Sequence, residues 1–188
     1  MERFFPEEKI LLTGNPVRQN IIDSTVTKEE AMKAFNLDPN KKTVLIVGGS
    51  LGARTLNDSV MQHLHDIKNS DVQIIWQTGK YYSQQIADAK KLAVDEKRWP
   101  ENLQNTDFIS DMAAAYKAAD LVISRAGASS ISEFCLIGKP VILVPSPNVA
   151  EDHQTKNAMA LVNKGAAIYV PDAEAAKKVI SVALATVK

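Results

Sequence analysis

Most of the short apolar runs in this sequence are aliphatic on consecutive positions, not on alternate ones. They are ILLT (10–13), TVLIV (43–47), VQIIW (72–76), DFI (107–109), DLVIS (120–124), VILV (141–144) and AIYV (167–170). A strand that is apolar on both faces has to be covered on both faces, as in a parallel sheet between two layers of helices. Helical patterns fill the intervals, at 28–36, 53–68, 81–94, 112–118, 130–137, 153–164 and 173–188. The first opens on Thr27-Lys28-Glu29-Glu30, a capping box. Strand and helix alternate throughout, which predicts an α/β chain with a Rossmann-like, doubly wound parallel sheet. No low-complexity tract or internal linker interrupts it. A length of 188 residues, 45% hydrophobic and 23% charged, suits one core-forming domain spanning 1–188, or one half of a two-domain protein.

Charge and cysteine usage exclude several classes. Lysine plus arginine equals aspartate plus glutamate at 22 each, so composition forces no basic face, and no nucleic-acid partner is expected. The single cysteine, Cys135, rules out an internal disulfide framework and suits a reducing, cytoplasmic compartment. No signal peptide opens the chain, and no apolar run approaches the roughly 20 residues of a membrane helix. Both ends read as cut: ERFFPEEKI offers no clean cap, and the chain stops inside a helical pattern without a C-cap glycine.

In a doubly wound sheet, ligands sit beyond the carboxyl ends of the strands. Four loops at such ends stand out. In VLIVGGSLGAR (44–54), Gly48, Gly49 and Gly52 permit backbone approaches barred to a Cβ, and Ser50 adds a hydroxyl at the start of a helix. The spacing is neither GxGxxG nor a Walker loop, so it points to a phosphate without naming the ligand; a plain tight turn is the alternative. In GNPVR (14–18), the Asn-Pro turn fixes where Arg18 projects, toward a diphosphate or into a surface salt bridge. In SRAGASSISE (124–133), small residues from Gly127 to Ser130 open a helix with amides to offer. There Glu133 closes an S-x-x-E capping box with Ser130 or accepts from ribose hydroxyls. In PSPNVAEDHQTKN (145–157), His153, Gln154 and Asn157 gather at a helix start, with donors and acceptors that suit sugar hydroxyls.

Other conspicuous residues carry plainer readings. His63 and His65 fall within an amphipathic helix, on its solvated side. Trp76 ends a strand in the core, and Trp99 packs a loop beside Pro100. Cys135 shares an apolar helix face with Ile131 and has no basic neighbour to form a thiolate. No acidic cluster at metal-ligand spacing occurs, so neither a metal nor another cofactor is expected.

Together, GNPVR, GGSLGAR, FISDMAAAYKAADLVISRAGASSISE and HQTKNA resemble, in this order, the motifs of the MurG family of bacterial glycosyltransferases. The resemblance covers nearly the whole chain and implies the C-terminal, donor-binding half of a GT-B fold. The family's activity would be inverting transfer of N-acetylglucosamine from UDP-N-acetylglucosamine to lipid I, the undecaprenyl-diphosphate-linked muramyl-pentapeptide, giving lipid II for peptidoglycan. Carried over residue by residue, the resemblance places Arg18 and Ser50 on the diphosphate. Ile109 would present backbone groups to uracil with Met112 packing nearby, and Ala128, Ser129 and Ser130 would offer amides to the phosphates. Glu133 would take the ribose hydroxyls and Gln154 the glucosamine hydroxyls, with Gly49, Gly127, His153 and Asn157 beside them. The catalytic base, the lipid I site and the membrane contact would belong to the N-terminal half. The whole protein would then act at the cytoplasmic face of the bacterial inner membrane. Leu51 stands where many members have glutamine, His153 where some have the first glutamine of a Gln-Gln pair, and Ala126 where serine is common. A non-hydrolysing 2-epimerase of similar fold, or a non-catalytic nucleotide-binding domain, is the competing reading.

Overall fold

The structure is a computed structural model that describes residues 5–11, 13–149 and 152–188. Its frame is a six-stranded parallel sheet: β1 (Thr43–Val47), β2 (Gln73–Gln77), β3 (Leu103–Thr106), β4 (Leu121–Ser124), β5 (Val141–Leu143) and β6 (Ile168–Tyr169). The order is β3-β2-β1-β4-β5-β6. The chain therefore winds outward from β1 in one direction, returns beside β1 as β4, and winds outward in the other. The reversal opens a crevice where β1 and β4 end together, with Val47 paired to Ser124.

The strands alternate strictly between two cores. Val44 and Ile46 face one side with Ile74, Trp76, Ile123 and Ile142, under α3 (Arg54–Gln62), α4 (Leu64–Lys68), α5 (Ser83–Asp95) and α9 (Asp172–Thr186). Leu45 and Val47 face the other with Ile75, Val122 and Leu143. That side is covered by α2 (Lys28–Ala34), α6 (Met112–Ala118), α7 (Ala128–Ile137) and α8 (His153–Val162), and short α1 (Gln19–Ile22) leans on α6. Full burial of each such aliphatic side chain contributes about 1.5–3 kcal/mol, in the strands and in the helices that cover them alike. Trp76 is completely buried, and its indole N–H donates to Asn57 Oδ1 at 3.0 Å, whose own amide donates to Thr78 O at 2.9 Å.

Five of the seven expected strands occur, and two do not. Ile10, Leu11 and Thr13 run as irregular chain, with Leu11 84% exposed; Leu12 lies outside the described residues. The described residues of that segment pair with no strand, and the sheet ends at β3 on one side and β6 on the other. DFI is also not a strand. The third strand is LQNT, just upstream, which pairs only with β2 and is half-exposed along three of its four positions. The expected 53–68 helix breaks at His63, whose backbone (φ −111°, ψ 22°) leaves helical geometry. That histidine is half-buried and not solvated: its Nδ1 lies 2.8 Å from Ser59 O and its Nε2 3.1 Å from Lys177 O, tying α3 to α9. His65 is exposed. The Thr27 capping box forms, with Glu30 N donating to Thr27 Oγ1 and Thr27 N to Glu30 Oε2.

Candidate functional site

The loop that leaves β1 turns back on itself at once. Gly49 takes φ +84° with open space where a Cβ would stand, and Gly52 N donates to Gly49 O at 2.9 Å. Gly52 does something else. At φ +92°, a Cβ there would lie 2.2 Å from Thr78 O, because the loop after β1 rests backbone to backbone on the loop after β2. Of these two glycines, only Gly49 borders the crevice, whereas Gly52 makes a loop-to-loop contact. Ser50 stands exposed at the bend, and its carbonyl accepts from Lys80 N at 3.1 Å.

Across the crevice, α7 begins at Ala128 with Gly127 as its N-cap and no side-chain cap. Ala128, Ser129 and Ser130 are thus its first three residues, whose amides have no partner within the helix. The expected Ser130–Glu133 capping box does not form, because the backbone becomes helical two residues earlier than the pattern suggested. Instead, Glu133 turns inward. Arg18 Nε and one terminal nitrogen reach its two carboxylate oxygens at 2.7 Å each, and the Tyr116 hydroxyl donates to Oε2 at 2.9 Å. Asn15 Nδ2 donates to Ser132 Oγ at 3.2 Å, so the GNPVR loop is fastened to α7 twice. Arg18 remains 48% exposed while Glu133 is only 6% exposed at the side chain. The bidentate bond to Glu133 raises the already high Arg18 pKa, so the guanidinium stays charged.

A cleft of about 540 Å³ lies between these loops. Its lining includes Arg18, Gly49, Ser50, Ile109, Met112, Ser129, Ser130 and Glu133, with Gln77, Phe108 and Tyr116 also in its wall. Ile109 and Met112 are buried, whereas Phe108 is 46% exposed with the Lys80 ammonium 5.3 Å from its ring centroid.

Gln154 and Asn157 serve a neighbouring structure. Gln154 Oε1 accepts from Ala126 N at 3.1 Å and Ser146 N at 2.9 Å, and Asn157 Nδ2 donates to Ala126 O at 3.0 Å. Two backbone donors fix which end of the Gln154 amide is oxygen. Arg125 adds a second clamp: it donates to Val144 O at 3.1 Å and Pro145 O at 3.3 Å and pairs with Asp172, which also accepts from Thr55 Oγ1 at 3.1 Å. The loops after β4 and β5 are therefore locked to α8, α9 and α3. His153 is the exposed first residue of α8. Cys135 is exposed on α7, and no group of three His, Cys, Asp or Glu side chains among the described residues is placed to hold a metal ion.

Tyr116, Arg125 and Asp172 escaped the sequence reading. The available signal was the lone phenol in the apolar helix AAAYKA, since a buried hydroxyl needs a partner.

The family model described as "Glycosyltransferase family 28 C-terminal domain" matches residues 43–188. The chain belongs to this family. A relative from Bacteroides fragilis, named UDP-N-acetylglucosamine--N-acetylmuramyl-(pentapeptide) pyrophosphoryl-undecaprenol N-acetylglucosamine transferase, is 64% identical over 188 residues, covering all of this chain and 48% of the relative. A protein of the same name from Bacteroides thetaiotaomicron is 63% identical, with 100% and 50% covered. A crystal structure of Acinetobacter baumannii MurG superposes with a TM-score of 0.65 at 33% identity, over 86% of this chain and 45% of that one. The chain thus spans about half the length of the curated relatives it matches. Membership in the family and the sheet order agree on a Rossmann-like half of a GT-B glycosyltransferase. Among the described residues, no helix is long and apolar enough to cross a membrane.

Proposed function

We propose that this chain is the donor-binding half of a hexosyltransferase that takes N-acetylglucosamine from UDP-N-acetylglucosamine to the C4 hydroxyl of lipid I, giving lipid II. One observation carries the reading: at the sheet's reversal point, Arg18, Ser50, Ile109, Ser129, Ser130 and Glu133 line a single cleft. Arg18, Ser50 and the first-turn amides of α7 suit the diphosphate. The backbone at Ile109 suits uracil, beside Met112, and Glu133 suits the ribose hydroxyls. Gln154 Oε1 is already shared by two amides, so its Nε2 is the group left for the sugar.

In the transfer, the acceptor oxygen bonds to the anomeric carbon from the face opposite the leaving group. The bond from that carbon to the phosphate oxygen breaks, and UDP departs with its electron pair. The first-turn amides of α7, and Arg18 once it has turned from Glu133 to the diphosphate, stabilise that growing charge. The acceptor's proton goes to a base outside this chain, on the portion of the relatives that the chain does not span. Lipid I and the membrane surface meet that portion too, at the cytoplasmic face of the bacterial inner membrane.

Calorimetry with this chain tests the reading. UDP and UDP-N-acetylglucosamine should bind, and UDP more tightly than ADP or GDP; equal affinities for the three nucleotides would remove Ile109 from base recognition. Incubated with labelled donor and lipid I, the chain should form no lipid II. Turnover above a no-protein control would place the base within these residues.

A further inference from the structure

Glu133 is bonded to more groups than ribose recognition leaves room for. A carboxylate offers about four lone-pair sites, two on each oxygen. Arg18 takes one on Oε1 and one on Oε2, and the Tyr116 hydroxyl takes the second on Oε2. One site remains, and a vicinal diol needs two. One of the present partners must therefore withdraw before the ribose can be held. Arg18 is the partner able to leave, because its side chain is half-exposed and water or a phosphate can replace the carboxylate. Tyr116 cannot leave at low cost. It is 4% exposed, its ring meets Phe134 edge to face at 6.0 Å, and withdrawal would strand a buried hydroxyl.

We infer that Tyr116 is the positioning residue of ribose recognition: it holds Glu133 Oε2 in place while Arg18 turns from Glu133 to the diphosphate. This rests on the donor-site reading above and deepens it. Burial, and next the negative charge of Glu133, push the Tyr116 hydroxyl far above its ordinary value, so it remains a donor throughout the working pH range. The arrangement also couples the two halves of the ligand. A diphosphate that draws Arg18 away clears Glu133 for the diol, and a nucleoside without phosphates must displace Arg18 unaided.

The test compares UDP with 2′-deoxy-UDP by calorimetry on three forms of the chain. Wild type should prefer UDP by about tenfold or more, the scale of one hydrogen bond to a charged group. Tyr116→Phe keeps the ring and should cut that preference to about threefold or less, because an unheld carboxylate meets the diol poorly. Arg18→Ala should weaken both nucleotides by about tenfold or more yet keep the wild-type preference within about twofold. A general loss of stability would weaken both nucleotides alike and leave the ratio untouched. An unchanged ratio in Tyr116→Phe, or a ratio lost in Arg18→Ala, overturns the inference. If Tyr116→Phe shows no folded circular dichroism spectrum, the Arg18→Ala ratio decides alone, since Arg18 is half-exposed and its removal spares the core. A wild-type chain that binds UDP without favouring the ribose overturns the Glu133 role and this inference with it. A wild-type chain that does not bind UDP overturns the proposed function itself.

Discussion

Glu133→Gln separates what the carboxylate does for the fold from what it does for a ligand. In the free chain the amide keeps one oxygen but replaces the other with a donor. If its oxygen takes the Oε2 position, it still accepts from Arg18 and Tyr116, and the new NH₂ faces Arg18 Nε, now donor against donor. Arg18 is half-exposed, so water takes up the lost bond and the cost stays near that of a solvent-screened pair, about 1 kcal/mol. For a chain of this size that is a melting-point drop of about 2–4 °C. The ligand term is larger. Two ribose hydroxyls that each donate to a carboxylate oxygen would find one acceptor and one donor, a loss of about 1–3 kcal/mol, or about 5- to 150-fold in UDP affinity. Differential scanning calorimetry and titration of the same preparation give both quantities. A melting point lowered as stated with UDP affinity within about twofold of wild type would refute the ribose assignment and leave Glu133 a purely structural partner of Arg18.

Gly52→Ala should cost about 2–4 kcal/mol in urea unfolding, because its Cβ would press on the Thr78 carbonyl at a positive φ, whereas Gly49→Ala, with open space at its Cβ, should cost about 1 kcal/mol. Asp172→Ala leaves the largely buried Arg125 guanidinium without its carboxylate and Thr55 without its acceptor, so a loss of about 2–4 kcal/mol is expected in the same assay; a loss under about 0.5 kcal/mol would show that the clamp is not needed. Asp120 gives a pH test. Burial opposes its ionisation, but the Lys28 ammonium and the Thr43 amide outweigh burial and hold its carboxyl below the ordinary range. That stabilisation is present above the unfolded pKa of about 4 and is lost as pH falls through the lowered folded value. The melting-point gap between wild type and Asp120→Asn should therefore be widest at neutral pH and close in acid; a gap independent of pH would refute it.

What the sequence made legible follows from which faces are covered. TVLIV and DLVIS are apolar on both sides because helices cover both, and they became the two central strands that bracket the cleft. β3 carries no such mark. As a margin it pairs on one side only, and Gln104, Asn105 and Thr106 can stay half-exposed. Phe108 and Ile109 are apolar without being in a strand: Phe108 stands half-exposed at the cleft, and Ile109 belongs both to the cleft wall and to the core of that face. Apolarity alone cannot separate those two uses, and so DFI read as a strand.

Pairing was hidden for a related reason. Arg18 and Glu133 are 115 positions apart, and either one alone fits a surface salt bridge or a helix cap. Gln154 shows the same ambiguity within one side chain, since its oxygen clamps Ala126 and Ser146 while its NH₂ is the group assigned to the sugar in the proposed function. The two roles reinforce each other. An amide whose oxygen is held by two backbone donors has little rotational freedom left, so whatever its nitrogen binds meets a group already in place and loses less entropy in binding. Arg125 and Asp172 extend that logic without touching the cleft: by locking the loops after β4 and β5, they fix where the first turn of α7 presents its amides. Residues that read as candidate ligand contacts and residues that read as nothing in particular thus hold the same loops in place beside the crevice.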